Sequence, residues 1–468
     1  MAQGVKNPHY SMFRHKFRYI ILLLATFCMT SIFSNMISLN FTVICMKSNS
    51  IHDYANNTTN QETLYTPYQK TALEWSLSLT AMVATFPFSH WCSHHGAKYA
   101  FLITGMLSAL ATALIPWMYS LGFGWMMALK IAQGIAYASD FAVMGVVCTR
   151  WSSLGEMARF VSVMTCFSPL ASVLTYVTSG IICDISWLGW PWVHYLHAFV
   201  SFILFSSWAL FYTDSAQDNS FVTQKELDFI FQGKTEAHKQ RVAFVPYKEI
   251  LKSAKVWTVW LNAFADIFAG YFVLLYSPSY LNQVLGYSVV QTGVMGAIIS
   301  GCNIPVKLTA GFLSDNIQCL SERHKLWLFN SIASISPAIF YVLICFVPLE
   351  VPIITVVLLG LSMGTIGVNA GGFYKCGALI SRQYAEVVIA FTQFIKCGIF
   401  FIAPALMTML VPDRANANQW HMMFYLMAIS LIVANAVFFA YASAEPEKFT
   451  TITGKHSCNV KLDHRDTK

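Results

Sequence analysis

Charged residues are scarce in this sequence, and their scarcity excludes a soluble protein. Asp, Glu, Lys and Arg make up 11% of the 468 residues, whereas 56% are hydrophobic. Soluble domains carry about 25% charged residues. A chain this apolar is expected to fold in lipid rather than in water.

Motifs for metals, cofactors and catalysis are also missing. The 12 cysteines include no Cys-x-x-Cys, so neither a disulfide framework nor a zinc site is expected. His94, His95, His194 and His197 have no spacing that brings three metal ligands together. No paired His/Asp or nucleophile motif appears at a membrane face. We expect no metal, no organic cofactor and no enzymatic activity.

Apolar runs of about 20 residues recur along the chain, each long enough to cross ~30 Å of hydrocarbon. They predict an all-α polytopic membrane protein whose surface contacts the lipid bilayer. The twelve predicted spans are 20–46, 72–91, 99–118, 122–148, 160–183, 193–212, 256–281, 290–312, 326–348, 352–377, 386–411 and 420–442.

The polar segment 213–255 divides the spans into two sets of six. The predicted organisation is therefore a terminal segment (1–19), two six-helix halves (20–212 and 256–442) and a tail (443–468) around the central loop. Two like-oriented halves around a central cavity are typical of many transporters.

Lysine and arginine are distributed unequally between the two membrane faces. The termini, the central loop and the short loops on the same side hold 22 of the 29, and we name this side the basic face. The opposite face holds only Lys47, Lys70 and Arg414. Because cytoplasmic loops are enriched in basic residues, both termini are predicted to be cytoplasmic. The net charge of +7 thus indicates membrane orientation and no nucleic-acid partner.

The loop 47–71 on the opposite face contains two overlapping sequons in Asn-Asn-Thr-Thr. They predict glycosylation at Asn56 or Asn57. The chain is therefore expected to be a glycoprotein of the plasma membrane or of an endolysosomal or vesicular membrane.

Several short motifs occur in the order and spacing of one transporter family. Tyr276 to Leu281 resembles its Leu-Pro-Thr-Tyr-Leu step, and Lys130 to Gly134 resembles its Arg-x-x-Gln-Gly. Trp151 to Arg159 and Gly189 to Pro191 resemble two further motifs. Over about 18–448 the chain resembles the anion–cation symporters of the major facilitator superfamily, which include sodium/phosphate cotransporters, sialin and vesicular glutamate transporters.

The resemblance implies a secondary active transporter that moves a small solute, an organic or inorganic anion, by alternating access. We expect it to function as a monomer. The family's helix 1 arginine and helix 4 acid correspond here to Ser38 and Tyr137, and its first-turn Asp-Arg to Ser93-His94. These departures leave open a receptor or sensor that kept the fold and lost transport.

Lys130, Tyr137 and Tyr271 are the candidate substrate-binding residues. Lys130 lies in the half of span 4 towards the opposite face, and the family's arginine at this position is thought to hold the anion. The alternative is a lysine that extends its ammonium to the membrane surface on its long stem.

Asp140 and Asp266 are the candidate ion-coupling residues, because both lie well inside apolar spans at similar depth. Burial favours the neutral form of a carboxylic acid, which suits coupling to H+ or Na+. The alternative is a structural pair with Lys307 or Lys396. Lys375 is expected at the membrane surface.

Asp315, in Gly-Phe-Leu-Ser-Asp, resembles the gating aspartate of the facilitator turn, where it would cap a neighbouring helix. Glu156 and Arg159 are expected to form a charge network on the basic face. The alternative is an ordinary solvated loop.

The charge asymmetry predicts that glycosidase treatment lowers the apparent mass of the protein, and that Asn56→Gln combined with Asn57→Gln removes this shift. An epitope inserted in 213–255 should be labelled only after permeabilisation. Labelling of that epitope on intact cells would contradict both the orientation and the number of spans.

Overall fold

Helices form nearly all of the part of the chain that the structure describes, which comprises residues 15–54, 67–185, 187–232, 234, 245–287 and 289–452 of a computed structural model. Backbone polar groups in hydrocarbon need internal partners, and a helix provides them. The twelve long helices are α1 (Phe17–Tyr54), α2 (Pro67–His95), α3 (Lys98–Leu121), α4 (Phe123–Trp151), α5 (Met157–Cys183), α6 (Trp190–Phe211), α7 (Ala254–Gln283), α8 (Gln291–Asn316), α9 (Glu322–Ile344), α10 (Pro352–Tyr384), α11 (Ala385–Leu410) and α12 (Ala417–Tyr441).

Eleven of these helices are long and apolar enough to cross a membrane. The other, α2, has 29 residues, a length that also exceeds the ~20 residues needed to span hydrocarbon. It packs between α4 and α11, so its polar positions face other helices as well as lipid. The described part of the chain therefore contains twelve helices of spanning length.

Local sequence signals fix where several of the helices begin. The Ser253 and Ser321 side chains accept hydrogen bonds from the backbone N–H groups of Val256 and His324, at the starts of α7 and α9. Such caps satisfy N–H groups that have no partner within the helix. Pro191 and Pro352 lie in the first turns of α6 and α10, where a missing N–H costs nothing.

Cys183, at the opposite-face end of α5, is disulfide-bonded. The scattered cysteines indicated no disulfide framework, and their spacing does not reveal this pairing. Disulfides persist in oxidising compartments, which agrees with the predicted orientation of this face.

The two six-helix halves meet at both membrane faces. On the basic face, the Asp315 carboxylate at the end of α8 accepts a hydrogen bond from the backbone N–H of Arg159 in α5, at 2.9 Å. Towards the opposite face, about two turns before the helices end, the Tyr176 hydroxyl of α5 donates to the Leu274 carbonyl of α7 at 3.2 Å. The halves are thus closed at both ends, and the conformation is occluded.

Close approach of α5 and α8 on the basic face depends on Gly311. A Cβ at this position would lie 2.3 Å from the Ser162 Oγ and 3.0 Å from the Ala158 carbonyl oxygen. These distances are shorter than van der Waals contact, so only glycine fits between the two halves here. Gly296, earlier in α8, has nothing within 4 Å of such a Cβ.

We expect Gly311→Ala to separate α5 from α8 on the basic face, because an added methyl in a tight interface costs about 1–3 kcal/mol. Deuterium exchange of the purified protein should rise in 157–165 and 303–316. Gly296→Ala, which raises helix propensity in the same way, should leave exchange in both segments unchanged. Equal exchange in the two variants would contradict this interpretation of the interface.

Candidate functional site

A cavity of about 40 Å³ lies between the two halves. A water-sized group needs roughly 10–15 Å³, so about three fit. Polar side chains contribute much of its wall, and those that matter for its chemistry are Thr165, Ser168, Asp266, Asn303, Lys307 and Asn369. In the occluded conformation this space suits an ion or one carboxylate group, and a larger solute requires the walls to move apart.

Four of the helices around the cavity are interrupted. The interruptions lie at 138–139 in α4, at Cys166 in α5, at Cys302 in α8 and at Gly367–Gly371 in α10. A polar side chain stands in or beside each one, and these side chains are Asp140, Thr165, Asn303 and Asn369. Transporters commonly build their solute and ion sites from discontinuous helices of this kind.

Asp266 on α7 lies on the cavity wall and is 8% exposed. Its carboxylate accepts a hydrogen bond from the Asn369 side-chain amide at 2.8 Å. Lys307 of α8 also lines the cavity and acts electrostatically on Asp266. No described carboxylate lies within 4 Å of the Lys307 ammonium, so the two charges share the cavity without direct contact.

Lys396 of α11 is fully buried among aromatic rings from four helices. Its Nζ lies 4.4–5.1 Å from the centroids of five rings, which we name the aromatic cage: Phe33, Tyr137, Phe141, Phe167 and Tyr271. Each ring face attracts a cation by about 0.5–2 kcal/mol. Within the described residues no group accepts a hydrogen bond from this ammonium.

Asp140 begins the second segment of α4 and is also fully buried. Neither carboxylate oxygen has a hydrogen-bond partner among the described residues. Lys396 is the cation that acts electrostatically on Asp140, although the two do not form an ion pair within 4 Å. This interaction joins the halves, because α4 belongs to the first half and α11 to the second.

Tyr137 and Tyr271, predicted to bind substrate, both belong to the aromatic cage. Tyr271 also lines the cavity, whereas Tyr137 is not on its wall. The Tyr137 carbonyl, at the interruption of α4, accepts a hydrogen bond from the Gln393 side chain of α11 at 2.8 Å. The cage therefore brings these two tyrosines together with Asp140 and Lys396.

Lys130, the third predicted substrate contact, is 4% exposed and does not line the cavity. Its Nζ donates to the Met36 carbonyl of α1 at 3.0 Å. The side chain thus lies between α1 and α4 inside the bundle, and not at the bundle surface as the alternative interpretation expected.

The predicted gating residue Asp315 accepts a hydrogen bond from Arg159 N–H near the N-terminus of α5 and lies 3.7 Å from the Lys375 ammonium. Lys375 was expected at the membrane surface, but it is buried and also pairs with Glu322 at 3.2 Å. Its acidic partners come from the last turn of α8 and the first residue of α9, and they cannot be inferred from α10 alone.

Glu156 forms ion pairs with Arg159 at 3.0 Å and with Arg18 at 3.1 Å. Arg18 in turn contacts Glu226 of the central segment at 3.4 Å. These groups lie on the basic face, where buried pairs need several partners to offset desolvation. The network is more extensive than the sequence predicted, since it ties α1 and the central loop to α5.

Three features were not predicted from the sequence: the Asp214 cap, the aromatic cage and Asn369. Asp214 accepts hydrogen bonds from the backbone N–H groups of Ala97 and Lys98 at 2.6 and 3.1 Å, and so caps α3. The aromatic cage was also missed, because its rings are distant in sequence. An asparagine inside the apolar tenth span was the available signal for Asn369.

The glycosylation candidates Asn56 and Asn57 lie outside the described residues.

Comparison with known proteins identifies the family. The model of the Major Facilitator Superfamily matches residues 19–404. Sodium-dependent phosphate transport protein 1 of Mus musculus is 25% identical over 450 residues, covering 92% of this chain and 94% of that protein. Sialin of Ovis aries is 24% identical over 379 residues, covering 79% and 74%.

Solved structures agree on the fold. The proton:xylose symporter XylE superposes with a TM-score of 0.69 at 12% identity, covering 92% of this chain and 97% of that one. A bacterial homolog of the lysosomal transporter Spinster gives 0.52 at 15% identity, covering 91% and 97%. These matches confirm the predicted fold of twelve helices in two halves. The chain is a multi-pass membrane transport protein and not an enzyme, and it belongs to the Major Facilitator Superfamily as a divergent relative of the phosphate transport proteins and sialin.

Proposed function

We propose that this protein is a secondary active transporter that moves a small organic or inorganic anion by alternating access, driven by H+ or Na+. The observation that carries the proposal is the cavity between the halves, which contains Asp266 and Lys307 and borders the cage around Lys396. Its relatives include a sodium-dependent phosphate transport protein and sialin. Phosphate is an anion, which supports an anionic solute for this chain.

Alternating access requires each face to open while the other stays closed. On the basic face, Asp315 and Glu156 hold α5 against α8 and α1. Opening this face breaks the contact between Asp315 and Arg159, whereas opening the opposite face breaks the one between Tyr176 and Leu274. Each face therefore has its own set of bonds, and the occluded conformation retains both.

Asp140 and Asp266 are the proposed carriers of the driving cation. Both are buried carboxylates beside helix interruptions or in the cavity wall, and each is acted on by a lysine that does not touch it. A carboxylate without an ion-pair partner can accept a proton or a sodium ion without first breaking a bond to a lysine. Asn369 would orient the Asp266 carboxylate through its hydrogen bond.

Counterflow in proteoliposomes tests the transport proposal. Vesicles loaded with one unlabelled anion, amine or sugar should accumulate the same labelled solute only when that solute is a substrate. We expect anions such as inorganic phosphate or N-acetylneuraminate to give counterflow, and amines and neutral sugars to give none. Binding of an anion without counterflow of any solute would favour the receptor or sensor over the transporter.

Asp140→Asn and Asp266→Asn are each expected to abolish accumulation driven by a proton or sodium gradient, while exchange at equal concentrations persists. Exchange does not require release of the driving cation, whereas net uphill transport does. Asp218→Asn, at an exposed position in the central segment, is the matched control and should behave as the unmodified protein. Normal pH and sodium dependence in both variants would exclude these acids as coupling residues.

We propose that Lys130 contacts the anion on its path from the opposite face. Its ammonium would then release the hydrogen bond to the Met36 carbonyl and bind the solute instead. Lys130→Arg keeps the positive charge and should retain partial transport. Lys130→Gln should raise the apparent KM for uptake about tenfold, equivalent to about 1.4 kcal/mol. Unchanged uptake by Lys130→Gln would restrict this lysine to a structural role between α1 and α4.

A further inference from the structure

Two buried lysines of the second half lie at the centre of the molecule without a contacting carboxylate. Lys307 lines the cavity and is 6% exposed, and Lys396 is fully buried in the aromatic cage. Lys307 interacts electrostatically with Asp266, and Lys396 interacts with Asp140 and with Lys307. Both lysines therefore carry donors that no described carboxylate occupies.

The aromatic cage around Lys396 shares rings with the cavity wall. Three of its five rings, Phe141, Phe167 and Tyr271, also form the cavity wall. Lysine has a flexible four-carbon stem and three rotatable donors, so a small displacement of one ring would allow its ammonium to reach the cavity. Lys307 already faces the same space.

The rings stabilise the Lys396 charge only in part. Burying an ammonium costs several kcal/mol after relaxation, and rings offer no lone pairs for its three N–H donors. An anion in the cavity would supply the missing acceptors to Lys396 and to Lys307 together. The cavity of about 40 Å³ has the dimensions of a small oxyanion or of the carboxylate group of a larger solute.

We propose that Lys307 and Lys396 together bind the oxyanion group of the transported solute, a carboxylate or phosphate, in the occluded conformation. This rests on the proposed function and assigns its central binding site. In the absence of the anion, Asp140 and Asp266 balance the two lysines. When cations bind to the two acids, the carboxylates no longer balance the lysine charges, and the lysines then attract the anion more strongly. Solute binding is thereby linked to cation binding.

Equilibrium binding to the purified protein tests the assignment, with inorganic phosphate and acetate as probes. Affinity is read from the rise in melting temperature with probe concentration, and tetramethylammonium chloride serves as the cationic comparison. We expect Lys307→Gln and Lys396→Gln each to weaken binding of the better probe at least tenfold. Lys396→Arg should retain more affinity than Lys396→Gln, and Lys225→Gln, at an exposed helical position in the central segment, should match the unmodified protein.

Lys396 could bind the oxyanion, or it could only neutralise the buried acid Asp140. A double variant distinguishes these two roles. Removing Lys396 alone leaves Asp140 as an uncompensated buried acid, which itself destabilises the fold. Asp140→Asn combined with Lys396→Gln removes both charges. Without probe, this double variant should melt at the same temperature as the unmodified protein. We expect its oxyanion affinity to remain at least tenfold reduced.

The outcomes separate failure of this assignment from failure of the proposed function. Oxyanion binding at unmodified affinity in the double variant, or in both single glutamine variants, would overturn the lysine pair while leaving anion transport intact. Stabilisation of the unmodified protein by tetramethylammonium, and by neither oxyanion, would overturn the anionic substrate and the lysine pair together. Tenfold losses in both lysine variants with recovered stability in the double variant would support the site.

Discussion

Four charges buried between apolar helices are the constraint on which this structure depends. Asp140, Asp266, Lys307 and Lys396 come from α4, α7, α8 and α11, and together they carry no net charge. An isolated charge at this depth costs about 2.5–3.5 kcal/mol or more, so each needs the others nearby. The Asn369 amide then supplies a hydrogen bond to Asp266, and the aromatic cage supplies cation–π contacts to Lys396.

Asp214 and Asp315 each cap a helix on the basic face, but they differ in whether they can act in gating. Asp214 caps α3 from the end of α6, and Gly96, with φ +94°, leaves the space that its carboxylate fills. The sequence indicated that the first half had lost the acid of its turn, and Asp214 takes over the capping. Because α3 and α6 belong to the same half, this cap persists through any rigid-body movement. Asp315 joins opposite halves and must release α5 when that face opens.

The apolar runs predicted the fold well because every span carries this signal on its own. Asp140 and Asp266 were identified for the same reason, since an acid in an apolar run is visible without neighbours. The sequence indicated Lys396 only as a possible structural partner of a buried acid, but its environment is built by five rings from α1, α4, α5 and α7. Such a cage depends on packing between distant segments, and no local pattern encodes it. The contact of Lys130 with the Met36 carbonyl is equally a property of packing.

The two acid–lysine interactions differ in how they respond to movement of the halves. Asp266 and Lys307 lie on α7 and α8, both in the second half, so their separation stays nearly constant when the halves rotate as rigid bodies. Asp140 and Lys396 lie on opposite halves, and four of the five cage rings come from the first. Opening either face therefore changes the charge that acts on Asp140 more than the one that acts on Asp266. If both acids carry the driving cation, the affinity of Asp140 for that cation depends on which face is open. The affinity of Asp266 for it depends instead on what occupies the cavity.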